Sequence, residues 1–258
     1  MSDLFRLDDQ VAVLTGGSGW LGRAMAAALH DAGAQVHVLG RDEGRLRDAL
    51  GALADSERIH LQPIDVTTDA WPTFLAGFDR LDVLVNNAHV GRGGSLRTAT
   101  AGNFDEAFDL AVKATWAGIN AARPALEASA VAGGPASIVN IASMYGMVAP
   151  DFSVYDTEEG RNPPFYGAAK AALLQLSRYA AAELGPVGVR VNTVTPGPFP
   201  ATAAQQNSEF VHELKAHTMT GTIGAPDDIK TAVLFLASPH SRFVTGSNVV
   251  VDGGWTSR

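Results

Sequence analysis

Tyr166 and Lys170 are four residues apart in a stretch that reads as a helix, so both side chains would lie on one face. A free tyrosine has a pKa of about 10 and is a poor base near neutrality. A neighbouring ammonium group stabilises the phenolate and lowers that pKa. We therefore expect Tyr166 to exchange a proton with a substrate oxygen. Taken alone, the pair could equally be an aromatic residue at a helix start and a solvated lysine.

A hydroxyl group that could assist Tyr166 is supplied by Ser143, which follows the apolar run Ser137 to Ile141. At the tip of a strand it would hydrogen-bond the same substrate oxygen and hold it in place. Tyr145 and Tyr155 are competing tyrosines, but neither has a lysine four residues later. We expect these two either to line the substrate pocket or to pack as ordinary aromatic residues under a loop.

Glycines dominate the turn after the first apolar run, Val11 to Leu14. Gly17, Gly19 and Gly22 match G-x-G-x-x-G, and Gly16 extends the pattern to G-x-x-G-x-x-G. Glycines between a strand and a helix permit a tight turn and let the backbone approach a pyrophosphate, which the helix N-terminus then binds. A bare glycine triplet could also be an ordinary turn. We expect a dinucleotide here, contacted by Gly16, Ser18, Gly19, Trp20, Leu21 and Gly22.

The end of the second apolar run bears on which dinucleotide is preferred. An acidic residue at this place would bind the ribose of NAD, whereas an arginine would pair with the 2'-phosphate of NADP. Gly40 occupies the expected acidic position and Arg41 follows it, which favours NADP(H). Asp42 lies about 20 residues beyond the glycines and could serve NAD(H) instead, so both cofactors stay open.

Short apolar runs alternate with longer helical stretches from one end of the chain to the other, which predicts repeated βα units around a parallel sheet covered by helices. The predicted strands are Val11–Leu14, Gln35–Leu39, Ile59–Gln62, Leu81–Val85, Ser137–Ile141, Val189–Val194 and Asn248–Val251. The predicted helices are Leu21–Ala32, Gly44–Leu53, Trp71–Ala76, Asn103–Ala130, Tyr166–Leu184 and Pro226–Ala237. No linker or internal repeat divides residues 1–258, which predicts one domain. Residues 144–164 and 196–222 read as irregular substrate loops at strand ends.

Composition excludes several classes of function. The 258 residues include no cysteine, so neither a disulfide nor a thiolate metal site is possible, and we predict no metal. A net charge of -8 argues against nucleic-acid binding. No membrane span is predicted, and Met1 to Arg6 lacks the apolar segment of a signal peptide. We expect a cytoplasmic protein whose partners are small molecules or other copies of itself.

Several further motifs follow predicted strands in a fixed order: Asp65-Val66, Asn86-Asn87-Ala88, Ser143, Tyr166 to Lys170, Pro196-Gly197 and Val251 to Gly254. With the glycine turn, they make the chain resemble the short-chain dehydrogenase/reductase family. The resemblance implies a Rossmann-type, doubly wound, three-layer αβα sandwich with a mainly parallel seven-stranded sheet. It implies catalysis by Ser143, Tyr166 and Lys170. It adds these residues to the cofactor site: Arg41, Asp65, Val66, Asn87, Ala88, Tyr166, Lys170, Pro196, Gly197 and Phe199.

Three positions depart from the family pattern. Ala111 replaces an asparagine that helps to anchor a water chain to the lysine, which puts efficient proton transfer in doubt. His89 replaces the glycine of N-N-A-G, and it could compensate near neutral pH or be a plain loop residue. Trp20 replaces a glycine, giving the glycine motif of the extended branch in a chain of single-domain length. Its indole could lie over the pyrophosphate, but we expect it to pack on the first helix.

Ser143 and Tyr166 are separated by 22 residues, more than in most relatives, which indicates an insertion at the mouth of the site. We expect the substrate pocket to include His89, Met144, Tyr145, Tyr155, Phe165 and Pro198. Relatives with a similar insertion and a Pro-Gly-Pro-Phe-Pro run act on sugar acids and nucleotide-sugar precursors, an analogy that does not fix a substrate.

The resemblance implies an oxidoreductase that interconverts a secondary alcohol and a ketone, with a polyol or sugar-acid-like compound as one candidate substrate. The alternative, motivated by Ala111, is a cofactor-binding sensor or scaffold with weak or no turnover. The resemblance also implies a homotetramer or homodimer, assembled through the fourth and fifth long helices and the C-terminal strand.

Overall fold

The computed structural model describes residues 3–257. Met1 and Ser2, the first residues of the segment Met1 to Arg6, lie outside the described residues. All seven predicted strands are present, with ends within two residues of the expected positions. They are β1 (Val11–Thr15), β2 (Gln35–Gly40), β3 (Ile59–Pro63), β4 (Val83–Asn86), β5 (Ser137–Ile141), β6 (Arg190–Pro196) and β7 (Asn248–Val251).

The strands form one sheet in the order β3-β2-β1-β4-β5-β6-β7, and every neighbouring pair is parallel. After β3 the chain returns to the centre of the sheet and places β4 beside β1. The direction in which strands are added therefore reverses between β1 and β4. In open α/β sheets a crevice forms at this point, outside the carboxyl ends of the strands.

Within residues 3–257, eight α-helices connect the strands. They are α1 (Gly22–Asp31), α2 (Glu43–Leu50), α3 (Ala70–Ala76), α4 (Ala101–Phe108), α5 (Ala114–Val131), α6 (Pro164–Leu184), α7 (Ser208–His217) and α8 (Lys230–Ala237).

Two predicted regions differ from the structure. The helix predicted over Asn103 to Ala130 is interrupted by a π-helical turn, Asp109–Lys113, which separates α4 from α5. Residues 196–222 are not irregular throughout, because α7 lies within them, capped by the Asn207 side chain, which accepts a 3.0 Å hydrogen bond from the Phe210 amide. The apolar positions of α7 are few and face a small local cluster, so its helical period was weak in the sequence.

Helices cover both faces of the sheet, and alternate strand residues point to opposite faces. Ala12 and Leu14 of β1 pack in a cluster with α1, α2 and α8, whereas Val13 packs in a second cluster with α3, α5 and α6. The alternation of strands and helices correctly predicted a parallel sheet covered by helices, and the result is the three-layer, doubly wound Rossmann-type fold that the family resemblance implied. Among residues 3–257, no helix is both long enough and apolar enough to cross a bilayer.

Candidate active site

The glycine turn between β1 and α1 is a close backbone packing that side chains would disrupt. Gly16 has a φ of +69°, in the left-handed region that favours glycine. A Cβ atom on Gly22 would lie 2.1 Å from the Gly16 carbonyl oxygen, so the first turn of α1 can pack on the loop only without a side chain at this position. The turn therefore leaves an open backbone cradle at the N-terminus of α1, as pyrophosphate binding requires.

The turn is held against the end of β4 by a small polar network. Thr15 Oγ1 accepts hydrogen bonds from the amides of Asn87 and Ala88, at 2.9 and 3.0 Å. In return, Asn87 Nδ2 donates to the carbonyl oxygens of Thr15 and Gly16, both at 3.1 Å. The N-N-A motif thus fixes the glycine turn and exposes the edge of Ala88 to the crevice.

A cleft of about 590 Å³ opens at this end of the sheet. Eight of the residues proposed for the cofactor or substrate line it: Gly16, Ser18, Gly19, Arg41, Asp65, Val66, Ala88 and His89. Its opposite wall was not expected and comes from one face of α4 and the π turn: Gly102, Asp105, Glu106, Asp109 and Leu110. Their spacing of three and four residues was a signal of a shared face, but nothing local indicated that this face lies opposite the glycine turn.

The neighbours Arg41 and Asp42 have different roles at the end of β2. Arg41 is exposed and lines the cleft close to Asp65, whose pKa is lowered chiefly by its hydrogen bonds to Thr67 and slightly by the Arg41 charge. Asp42 is the N-cap of α2, where its Oδ1 accepts a 2.7 Å hydrogen bond from the Arg45 amide. The carboxylate that could have served a ribose is therefore engaged by the helix start.

Trp20 packs on the start of α1, as expected, rather than lining the cleft. Its ring lies under the Arg23 guanidinium, with 4.2 Å between the guanidinium carbon and the ring centre. Its backbone φ is not in the left-handed region, so a non-glycine residue is tolerated at this glycine position of the family. Leu21, Gly22 and Asn87 likewise lie behind the cleft surface and support the turn.

Ser143, Tyr166 and Lys170 come together at the ends of β5 and α6. The Ser143 side chain lies close enough to the Tyr166 hydroxyl to lower its pKa. Lys170 is buried and its Nζ donates a 2.6 Å hydrogen bond to the carbonyl oxygen of Ile141, the last residue of β5. The same Nζ lies 5.8 Å from the centre of the Tyr166 ring. Two hydroxyl groups and an ammonium group therefore share one small volume.

The protonation of this group differs from the sequence-based expectation. Burial raises the pKa of Tyr166 above its ordinary value, and the hydrogen bond from Ser143 opposes that shift only in part. The expectation that Lys170 lowers this pKa is wrong for the chain without cofactor. Burial also lowers the pKa of Lys170, to about 8. Near neutral pH the Tyr166 hydroxyl is thus protonated and can donate its proton. Lys170 is still mostly charged at that pH, and it loses its charge as the pH rises past about 8.

An inner cavity connects this group with α4. It is lined by His89, Phe165, Tyr166 and Lys170 together with Ala111, which is buried in the π turn. The Phe165 ring packs edge-on against Phe104, with 6.0 Å between the ring centres. Desolvation and the nearby Lys170 charge lower the pKa of His89 to about 4. The expectation that His89 titrates near neutrality is therefore wrong, because it is a neutral imidazole there.

The inserted segment packs against α7 rather than lying free over the site. Met144 is 3% exposed in an apolar cluster with Val154, Leu214 and Trp255, so it supports the pocket from behind and does not line it. Tyr155 also lines neither the cleft nor the inner cavity.

The hydroxyl groups of Tyr145 and Tyr155 are 2.7 Å apart, and this pair borders the cluster that joins the insertion to α7. Tyr155 is therefore a packing residue, whereas Tyr145 packs against it and also lines a second cavity beside α6.

The loop after β6 is fixed by the C-terminal strand. The Gly197 amide donates a 2.9 Å hydrogen bond to the Val251 carbonyl, and a Cβ on Gly197 would meet Asp252 at 2.5 Å. Pro198 and Phe199 border a separate cavity next to Asp252 and Gly253. Pro196, Gly197, Pro198 and Phe199 thus stay outside the cleft lining.

Residues 18–256 match the family model described as Enoyl-(Acyl carrier protein) reductase. The rhamnolipids biosynthesis 3-oxoacyl-[acyl-carrier-protein] reductase of Pseudomonas aeruginosa is 32% identical over 99% of both chains. The cyclopentanol dehydrogenase of a Comamonas species is 31% identical over 98% of this chain and 99% of that protein. The chain belongs to the short-chain dehydrogenase/reductase family. It is accordingly an oxidoreductase of this family.

Solved structures support the same assignment. The RhlG/NADP active-site complex of Pseudomonas aeruginosa is similar with a TM-score of 0.87 and 30% identity, covering 99% of this chain and 100% of that one. A gluconate 5-dehydrogenase of Burkholderia cenocepacia J2315, in complex with NADP and tartrate, has a TM-score of 0.84 at 27% identity, covering 99% and 98%. The fold of this short-chain dehydrogenase/reductase is thus shared over its whole length.

Proposed function

We propose that this short-chain dehydrogenase/reductase interconverts a secondary alcohol and a ketone, with NADP(H) preferred and NAD(H) possible. The observation that carries the proposal is that the buried Lys170 ammonium, bonded to the Ile141 carbonyl oxygen, lies 5.8 Å from the centre of the Tyr166 ring, at the strand end that also carries Ser143. This arrangement presents two hydroxyl groups to one substrate oxygen. A single nucleotide-binding domain comprising residues 1–258 is part of the proposal.

The cofactor proposal rests on the cradle and on Arg41. The backbone at Gly16 to Gly22 would hold the pyrophosphate, Asp65 and Val66 the adenine, and Arg41 the 2'-phosphate. Asp42 is committed to capping α2, which removes the acidic competitor. Two neighbours of this fold were solved with NADP, one of them being the RhlG complex. When bound, the nicotinamide supplies the hydride donor or acceptor.

The chain's own residues handle the proton. In the reducing direction, Tyr166 Oη gives its proton to the ketone oxygen while Ser143 Oγ hydrogen-bonds that oxygen. The raised pKa of Tyr166 keeps the hydroxyl protonated at neutral pH, as an acid must be. In the oxidising direction Tyr166 must first lose its proton, so a higher pH favours that direction.

For the substrate, we propose a hydroxylated compound such as a polyol or sugar acid. The support is the likeness to a gluconate 5-dehydrogenase that was solved with tartrate. Other relatives are named for 3-oxoacyl and alicyclic substrates, so the panel below includes those classes. Ala111 supports a second candidate, a cofactor-binding sensor or scaffold, because its side chain cannot relay a proton from the buried Lys170.

The decisive experiment is turnover of NADPH and NADP over a panel of ketones and secondary alcohols. We expect Tyr166→Phe to lower kcat by about 10²- to 10⁴-fold, which is the usual contribution of a general acid. Tyr179→Phe is the matched control, since Tyr179 lies on the same helix with 67% of its surface exposed. Equal rates for wild type and Tyr166→Phe would contradict the proposed oxidoreductase activity. Cofactor binding without turnover of any compound would support the sensor or scaffold function.

We also propose that the chain forms a homotetramer or homodimer. Trp116 on α5, Tyr179 on α6 and Val250 on β7 expose large apolar side chains at the three elements that the family uses for assembly. Light scattering of the purified chain, with Trp116→Glu as the disrupting variant, tests this.

A further inference from the structure

A second large cavity, of about 640 Å³, lies next to the N-terminal turn of α6. Its walls come from the loop before α4 (residues 94–97), the inserted segment (145–150 and 158–163) and one face of α6. It shares no lining residue with the cleft beside Arg41 or with the inner cavity beside Lys170. This volume is typical of a small-molecule site.

The cavity and the reacting group occupy different sides of one helix. Gly167, Ala168 and Ala171 of α6 face the cavity, whereas Tyr166 and Lys170 face the active site. The wall between them is thin, because a Cβ on Gly146 would lie 2.8 Å from the Lys170 carbonyl carbon. The cavity therefore adjoins the catalytic helix without opening onto Tyr166.

Arg161 provides an unpaired cation in this cavity. Its guanidinium stacks on Phe152, with 4.8 Å from the guanidinium carbon to the ring centre. Its Nε is shielded from solvent without an acceptor, and its side chain makes no hydrogen bond or ion pair with any of residues 3–257. A buried donor of a charged group without an acceptor is costly, so a ligand that supplies one would be stabilised.

The other charges at the cavity largely satisfy one another. Glu158 accepts a hydrogen bond from the Ser95 hydroxyl and lies 3.8 Å from Arg97 Nε. Its pKa is lowered by that hydrogen bond and then by the Arg97 and Arg161 charges, so one carboxylate faces two arginines. The Tyr145 hydroxyl is bonded to Tyr155. The N-terminus of α6 has no side-chain cap, and its partial positive charge adds to that of Arg161. The electrostatic potential in the cavity is therefore positive and favours a ligand with one negative charge.

We propose that this cavity binds a monocarboxylate with an apolar body, the carboxylate pairing with Arg161. The body would lie along the aliphatic wall that Leu96, Val148 and Pro150 provide. A planar guanidinium matches a carboxylate through two parallel hydrogen bonds, and stacking on Phe152 fixes its orientation beforehand. The ligand would bind independently of the nicotinamide cofactor and of turnover.

The test is isothermal titration of the full-length chain with octanoate, octan-1-ol and octylamine, each with and without saturating NADPH. We expect octanoate to bind in both conditions and the alcohol and amine to bind more weakly. Arg161→Met should weaken octanoate binding by about 10- to 100-fold, as loss of a charge-assisted hydrogen bond does. Arg178→Met is the matched control on an exposed arginine of α6 that lines none of these cavities, and it should leave octanoate binding unchanged.

A second variant tests the location of the binding site independently of Arg161. Ala168→Trp should fill the cavity and abolish octanoate binding while leaving NADPH affinity unchanged. Because Ala168 lies on the same face of α6 as Tyr179, light scattering of this variant is measured alongside. The proposal is overturned if wild type does not bind octanoate, if octan-1-ol binds as tightly, or if Arg161→Met binds like wild type. It is also overturned if NADPH displaces octanoate. Failure of octanoate binding together with dissociation of an oligomer by Ala168→Trp would instead identify the cavity as a contact between subunits.

Discussion

Lys170 Nζ donates a 2.6 Å hydrogen bond to the carbonyl oxygen of Ile141. This contact ties helix α6 to the end of β5, two residues before Ser143. It therefore fixes the position of Tyr166 relative to Ser143. Because the acceptor is a backbone oxygen, replacing the Ile141 side chain would not remove this contact. The same contact buries an ammonium group, which lowers the pKa of Lys170 to about 8.

Replacing Lys170 with methionine should stabilise the cofactor-free protein while abolishing efficient turnover. An unfolded lysine titrates at 10.5 and the folded one at about 8, so below pH 8 the folded state bears the cost of a buried charge. We expect Lys170→Met to gain on the order of 1–3 kcal/mol at pH 7. That gain should shrink as pH rises from 8 towards 10.5, because the wild type then folds with a neutral lysine. Urea unfolding at pH 7 and 9.5 measures it, and a gain that grows with pH would contradict the prediction.

Substitutions at Arg41 and at Asp42 should affect different properties: the first the binding of NADPH, the second the stability of α2. Arg41→Ala should weaken NADPH binding by about 10- to 100-fold, through loss of a charged hydrogen bond, and leave NADH binding nearly unchanged. Asp42→Ala should cost about 1 kcal/mol of stability through loss of the α2 cap, with little effect on either cofactor. Fluorescence titration and thermal unfolding read the two effects. If Arg41→Ala leaves NADPH affinity unchanged, the assignment of Arg41 is wrong.

Gly22→Ala should damage the glycine turn. The added Cβ would lie 2.1 Å from the Gly16 carbonyl oxygen, a backbone atom that cannot rotate away. We expect a loss of about 1–3 kcal/mol or more in stability and weaker binding of both NADPH and NADH. Gly185→Ala is the control, since a Cβ there has no neighbour within 4 Å. Unchanged cofactor affinity in Gly22→Ala would show that the turn can relax.

Thr15→Val should destabilise the chain although the two side chains have the same shape. Thr15 is 2% exposed, and its oxygen is the acceptor for the amides of Asn87 and Ala88. Without it both donors lose their partner, at a cost of about 2–4 kcal/mol. Thr15→Ser keeps the oxygen and should lose much less. Chemical denaturation of the three proteins checks the order, and a Ser variant as unstable as the Val variant would assign the effect to packing instead.

The sequence alone was sufficient for the fold, because each strand is a short apolar run and each helix but one has a clear apolar period. It also predicted that Ser143, Tyr166 and Lys170 would lie together, because their spacing from strand ends is local information. It could not show the π turn at Asp109–Lys113 or the helix Ser208–His217, whose period is set by contacts with distant segments.

Only the tertiary structure determined what depends on residues far apart in the chain. It placed the acidic face of α4 opposite the glycine turn and assigned Asp42 to a helix cap. It moved Met144 and Tyr155 out of the pocket into packing positions. It reversed the expected protonation of Tyr166 as well, since desolvation of its hydroxyl dominates over the charge that spacing alone suggested. Desolvation depends on the whole surrounding fold, which no local motif encodes.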